Sequence, residues 1–452
     1  MQSESCCGFL RAVLAVALLL AGGCTNANLP LNRGEVPLAA RITNHTRATT
    51  HPSTPDASPR RDDDCFVGLA LSGGGSRSAN FSAACMFQLE RMDLLDRVDY
   101  ISSVSGGSLT GAYYCLSDSK TWNNANVQRK LTHSFANDVI FQCFLPWNWI
   151  ALSFSDWDRS DLLAGSFTNT LFRRGGRTLT FADLRADRPH LLINATELQT
   201  GRGFVFRDDE FDQLNSDLAK FPISYAVAAS AAVPVVMHQV TLRDFSTIFE
   251  KYRHLVDGGV HDNLGITTLV ETFESQVDAA ESAGAPDPYP KGALLIVIDA
   301  RTRFDAKLDE KGDVGLIESL AAGAAASSSA LINRVSTATM AEIIVKYSPG
   351  TVTAEQLRNQ IDQFQREGFI KLRDRRGHVV TVVHLALSRV AELSNLPSQG
   401  FFQRLNDIAT FFNISPAEAA SLYTAADLLF RQKFESHLRE TRQEQLDAPP
   451  TR

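Results

Sequence analysis

The sequence predicts an α/β fold, and three observations carry that reading. An apolar run, Phe66-Val67-Gly68-Leu69-Ala70-Leu71, passes through a glycine loop into a helical pattern from Asn80 to Arg91. A second run, residues 98–104, turns at Ser105 into a helix that opens on Leu109-Thr110-Gly111-Ala112. Further buried-strand runs at 293–299 and 379–387 alternate with helices, including a long one from about 416 to 442. Short, continuously apolar runs suit strands covered on both faces, and their alternation with helices suits an open sheet of βαβ units.

The first strand ends in Ser72-Gly73-Gly74-Gly75-Ser76-Arg77. Strand, glycine loop, helix aims backbone N–H groups at an anion, with help from the helix dipole. A phosphate loop would need G-x-x-x-x-G-K-[ST], which is absent. A dinucleotide fingerprint would need a third glycine where Ser78 stands. An oxyanion hole needs only successive N–H groups unobstructed by side chains, and Gly73, Gly74 and Gly75 supply them. Arg77 either braces this loop or attracts a phosphate head group.

The second strand ends in Ser103-Val104-Ser105-Gly106-Gly107. A serine on a sharp strand-to-helix turn is a nucleophile elbow, which needs small residues two places to either side. Ser103 and Gly107 meet that need, so the pattern is S-x-S-x-G. Further on, Leu255-Val256-Asp257-Gly258-Gly259 ends a strand on a carboxylate, at the carboxyl edge where open α/β sheets build their sites. A hydroxyl becomes a competent nucleophile when a neighbour removes its proton.

Glycine loop, elbow and Asp-Gly-Gly together resemble the patatin-like phospholipases. The resemblance spans roughly residues 65–435, with sharp matches at the three motifs and at the Ala/Ser-rich helix near 224–234. It implies a three-layer α/β/α sandwich with a mostly parallel central sheet. It also implies a Ser105–Asp257 dyad, an oxyanion hole at Gly73–Gly75, a helper asparagine at Asn263, and hydrolysis of (phospho)lipid esters through an acyl-serine. Gly265 stands where the family often has proline. Two other readings stay open: a Ser-His-Asp esterase using His261, and a non-catalytic, lipid-anchored binding protein of the same fold. His254 and His384 fall in strand patterns that suit structural histidines.

The N-terminus carries an apolar run over residues 12–21, shorter than the roughly 20 residues a bilayer span requires. With Arg11 before it and Leu20-Ala21-Gly22-Gly23-Cys24 after it, residues 1–23 read as a signal peptide and Cys24 as a lipidated first residue. The expected location is the outer membrane of a bacterium, facing the periplasm or the cell surface. Residues 24–63 read as a solvated tether, 64–436 as one hydrolase domain, and 437–452 as a solvated tail. Residues 141–157 hold three of the four tryptophans. They suit a lipid-facing rim or lid, or a packed core under an insertion, with the packed core favoured.

An apolar content of 44% allows a large core, and a net charge of −7 argues against a nucleic-acid partner. Cys65, Cys85, Cys115 and Cys143 show no CxxC, so neither a zinc site nor a disulfide framework is indicated, and Cys85 and Cys115 read as buried thiols. No metal or organic cofactor is expected. The partner expected is a phospholipid or other lipid ester.

Overall fold

The computed structural model describes residues 30–34, 64–145, 147–148, 157–234, 237–302, 335–347 and 353–447. The predicted signal peptide and Cys24 lie outside them, as does most of the predicted tether.

Strand β1 (Phe66–Leu71) and strand β2 (Tyr100–Val104) are buried along their whole length. Helix α1 (Gly75–Arg91) joins them, and helix α2 (Gly106–Leu116) follows β2 directly. Helices α3 (Phe135–Phe144) and α4 (Arg159–Thr170) come next, then a separate two-stranded hairpin of β3 (Arg173–Arg174) and β4 (Arg177–Thr178). Strands β5 (His190–Glu197) and β6 (Gly203–Phe206) lead to helix α5 (Ile223–Ser230). Strands β7 (Val240–Asp244) and β8 (Lys251–Asp257) form a hairpin, followed by helix α6 (Ile266–Ser282) and strand β9 (Ala293–Asp299). After α7 (Ala354–Glu367) come β10 (Phe369–Arg373) and β11 (Val379–Ala386). Helices α8 (Phe401–Asp407), α9 (Pro416–Leu429) and α10 (Glu435–Asp447) complete the chain.

The main sheet runs β10-β11-β9-β1-β2-β5-β8-β7, with β6 paired to β5. Its five central strands, β11, β9, β1, β2 and β5, are parallel. The edges are antiparallel: β10 on β11, β6 and β8 on β5, and β7 on β8. Alternate residues of the central strands feed two cores. Leu69, Leu71, Ile296 and Ile298 join α1, α2 and the C-terminal helices, whereas Phe66, Ala70, Leu295 and Val297 join α6, residues 340–347 and Phe364. The period of two along each strand thus makes a sheet with helices on both faces, the predicted three-layer arrangement.

Two expectations need correction. Residues 30–34 are not free tether: Leu31 donates its N–H to Thr241 O at 3.2 Å, and Gly34 bridges to Ser216. Asn32 accepts from Arg243 N at 2.8 Å and donates to Arg243 O at 2.9 Å. Edge strand β7 has unpaired backbone groups, and this segment satisfies some of them. At the other end, α10 continues to Asp447 and buries Leu438 completely, so residues 437–447 are not a solvated tail.

Candidate active site

The register of β5 explains how the site forms. Its edge pairs with β2 as far as Val104 opposite Asn194. Beyond that point β2 has ended, and β8 takes over the same edge with Asp257 opposite Ala195. Asp257 therefore sits next in line after Val104, where the chain has just turned at Ser105. The sequence suggested that Asp257 ends a strand at the carboxyl edge of the sheet. The strand is in fact antiparallel to its neighbour, and Asp257 meets Ser105 because β8 descends from above that edge.

Ser105 caps α2 with φ 50° and ψ −118°, a sparsely populated conformation for a residue with a side chain. Gly106 must follow it, because a Cβ there would lie 2.0 Å from Gly75 O. Ser103, the residue that departs from the usual glycine, fits: its hydroxyl donates to Leu192 O at 3.3 Å. The elbow is braced from behind by Ser230, the last residue of α5. Its hydroxyl accepts from Ser105 N at 2.8 Å and donates to Asn194 O at 2.6 Å. Asn194 donates in turn to Ser102 Oγ at 2.8 Å and Ser103 O at 2.9 Å, and accepts from Thr268 at 2.6 Å.

Asp257 is 8% exposed, and its carboxyl interacts with the Ser105 side chain, which lowers its pKa. Its other tie is to Gly259 N, which donates to Oδ1 at 2.7 Å. Burial pushes its carboxyl up to about 6, and the Gly259 N–H and the Ser105 side chain hold it from rising further. Thr196 fixes the backbone beneath, donating to Asp257 O at 2.9 Å.

The glycine loop divides. Gly73 donates its N–H to Asn263 O at 3.0 Å, and a Cβ there would lie 2.4 Å from Asn263 Oδ1, so Asn263 packs directly on the loop. The Gly73 N–H is thus already engaged, which trims the predicted three-donor hole. Ser76 N is also taken, by Phe411 O at 3.1 Å. Among the described residues, no acceptor meets the N–H groups of Gly74 and Gly75 at the start of α1, beside Ser105.

Arg77 lies inward rather than facing a ligand. It is buried, its Nη1 donates to Ile408 O at 2.9 Å, and it leans toward Thr302 Oγ1 at 3.5 Å. Burial lowers its guanidinium to about 10, an effect that Asp299 partly offsets. Asp299 is held far below the usual carboxylate range: burial opposes this, but Arg301 and His384 prevail. These contacts favour the loop-bracing role for Arg77 and make His384 structural. His261 is exposed, with Nδ1 3.2 Å from Gly201 O and its ring over Gly203, so it does not stand between Asp257 and Ser105. His254 pairs with Thr241 Oγ1 at 3.0 Å.

Sequence reasoning missed the bracing role of Ser230 and the loop 408–412 that closes over Gly75 and Ser76. The only signal for Ser230 was its place as the last residue of a helix of small residues. The 141–157 segment departs from the favoured packed-core reading where it is described, since Phe141 is 66% and Trp147 65% exposed. Residues 146 and 149–156 fall outside the described residues. Cys85 and Cys115 are fully buried.

The family model for patatin-like phospholipase matches residues 69–270, a stretch that holds the glycine loop, the elbow and Asp257. That stretch, somewhat less than half of the chain, is thus similar to a patatin-like phospholipase domain. Solved structures similar to it include human GIVD cytosolic phospholipase A2, at 12% identity over 90% of this chain and 66% of that one, with a TM-score of 0.47. The same human protein in complex with methyl gamma-linolenyl fluorophosphonate matches at 13% identity over 85% of this chain and 60% of that one, TM-score 0.44. VipD from Legionella pneumophila matches at 13% identity over 80% and 67%, TM-score 0.29. The chain spans less than two thirds of the human structures' length. No curated protein matches the patatin-like chain.

Proposed function

We propose that this protein is a serine hydrolase of lipid acyl esters, with Ser105 as nucleophile and Asp257 as its general base. The observation that carries the reading is the buried Asp257 carboxyl set against Ser105, at a strained elbow beside the N–H groups of Gly74 and Gly75. Asp257 takes the Ser105 proton as Oγ bonds to the ester carbonyl carbon. The resulting oxyanion accepts from Gly74 and Gly75. As the carbonyl reforms, the C–O bond breaks, the leaving alcohol receives the proton from Asp257, and acyl-Ser105 remains. Water then repeats the sequence: Asp257 accepts its proton, the fatty acid departs, and the proton returns to Ser105.

A buried base titrating near 6 suits this work, because it is ionised at neutral pH yet more basic than a solvated aspartate. Phospholipid is the substrate class that fits the family. Cleavage before Cys24 and acylation of that residue would hold the enzyme at a membrane, with export to the outer membrane of a bacterium. The test compares the parent with Ser105→Ala and Asp257→Asn on phospholipid vesicles and on p-nitrophenyl butyrate. Both variants should fold and lose at least about 10³ in kcat/KM. A parent that folds and hydrolyses neither substrate would leave the binding-protein alternative.

A further inference from the structure

Because β8 leaves β5 at Glu197 opposite Leu255, the β7–β8 hairpin continues past the end of its neighbour. Lys251 precedes Asp257 by six residues, so the hairpin tip rises roughly 20 Å above the level of the dyad at about 3.3 Å per residue. That tip is apolar. Ile248 and Phe249 are exposed, the latter by 72%, and Leu198 beside the hairpin is exposed too. A second exposed apolar group lies beside the glycine loop. Phe411 is exposed on the loop that covers Gly75, and α3, tied to that loop by Ala136 N to Phe412 O at 3.0 Å, carries Phe141 with Trp147 just after it. Large exposed apolar side chains near one site mark a face that meets something apolar.

The N-terminal segment says what it meets. Leu31 and Asn32 are fastened to β7 itself. Cys24 precedes Pro30 by six residues, a reach of roughly 20 Å even when fully extended. An acyl chain on Cys24 is therefore confined to the neighbourhood of this hairpin and not to the end of a forty-residue leash. Among the described residues no helix is long and apolar enough to cross a membrane, so contact there falls to surface side chains.

We propose that the hairpin tip at Ile248 and Phe249, with Leu198, Phe141, Trp147 and Phe411, is a docking face for a lipid surface, turned toward it by the 30–34 clamp. This rests on the reading of the chain as a Cys24-anchored lipid hydrolase. Docked so, the dyad opens toward the bilayer, and an ester moves from the membrane to Ser105 without crossing water.

The experiment places a reporter in the full chain, bound to vesicles of phosphatidylethanolamine and phosphatidylglycerol with brominated acyl chains. Phe249→Trp should add fluorescence that the bromines quench. Ile248→Ser combined with Phe249→Ser should lower the ratio of vesicle-lipid turnover to p-nitrophenyl butyrate turnover by about tenfold. An unquenched reporter with an unchanged ratio overturns the docking face. So does a blue-shifted but unquenched reporter in a dimer that the double variant dissociates, which would make the face an interface between two copies. Quenching without any ester turnover would sink the hydrolase reading and leave the face standing, and turnover of the soluble ester without quenching does the reverse.

Discussion

At pH 7 a carboxyl titrating near 6 is mostly ionised, so the burial of Asp257 strengthens it as a base without disabling it. In the parent, kcat/KM on a soluble ester should climb through about pH 6 and then level off, whereas the residual rate of Asp257→Asn should show no such step. The same shift costs stability. A carboxyl whose folded value is raised contributes most when protonated, so its contribution is complete below the unfolded value and is lost as pH rises through about 6. Asp257→Asn should therefore gain on the parent by about 3 kcal/mol at pH 8 and lose most of that gain near pH 4. Urea melts at the two pH values decide it, and equal gains at both would contradict the burial argument. Ser230 presents the opposite balance, since it accepts from Ser105 N and donates to Asn194 O, both buried. Ser230→Ala leaves both groups unmatched, for a loss of about 2 kcal/mol. Loosening the elbow should also lower kcat more than it raises KM, a split that a remote packing defect would not produce.

Among the elements, the site depends on how closely α1, α2 and the 408–412 loop approach one another. Gly75 adopts φ 55°, and a Cβ there would lie 2.0 Å from Thr410 O. Gly75→Ala should therefore displace the loop or the helix start, and soluble protein should fall well below the parent, whereas Gly165→Ala, with open space around it, should express normally. This packing also explains what the sequence could and could not convey. Glycine loop and elbow were legible because each is a local event: a buried strand, a turn that admits no side chain, a helix. The pairing of Ser105 with Asp257 needed the family resemblance, because the register of β5 that brings them together is written in no short stretch. Strands β7 and β10 were missed because they are edges, where polar residues break the apolar run, and β6 because it is only four residues long. Ser230 lies 125 residues from Ser105, and its hydroxyl looked like one more small side chain in a helix built for close packing.

The molecule as a whole is fastened across long stretches of chain, and two of these fastenings make predictions. His378, in the turn between β10 and β11, sits between Asp374 Oδ2 at 2.7 Å and Asp287 Oδ2 at 2.6 Å. Burial pulls its pKa down, but the two carboxylates outweigh that and raise it. Its stabilising contribution is then complete below about 6.5, the ordinary histidine value, and disappears as pH rises through the folded value. His378→Gln should melt below the parent at about pH 6, with the gap narrowing toward about pH 9; a constant gap would assign the loss to packing alone. At the N-terminus, Asn32 joins β7 across 211 residues through two hydrogen bonds to Arg243. Asn32→Ala removes both and should cost about 1–2 kcal/mol, little for a protein of this size. The larger consequence is geometric. Once the 30–34 segment lifts from β7, an anchor at Cys24 no longer fixes which face meets the membrane, because the chain from there to Asp64 becomes one long tether. Limited proteolysis should then cut within residues 30–34 faster than in the parent, and turnover of vesicle lipid should fall relative to p-nitrophenyl butyrate. A variant that is cut faster yet keeps the parent's ratio would show that the clamp stabilises the edge of the sheet without orienting the site.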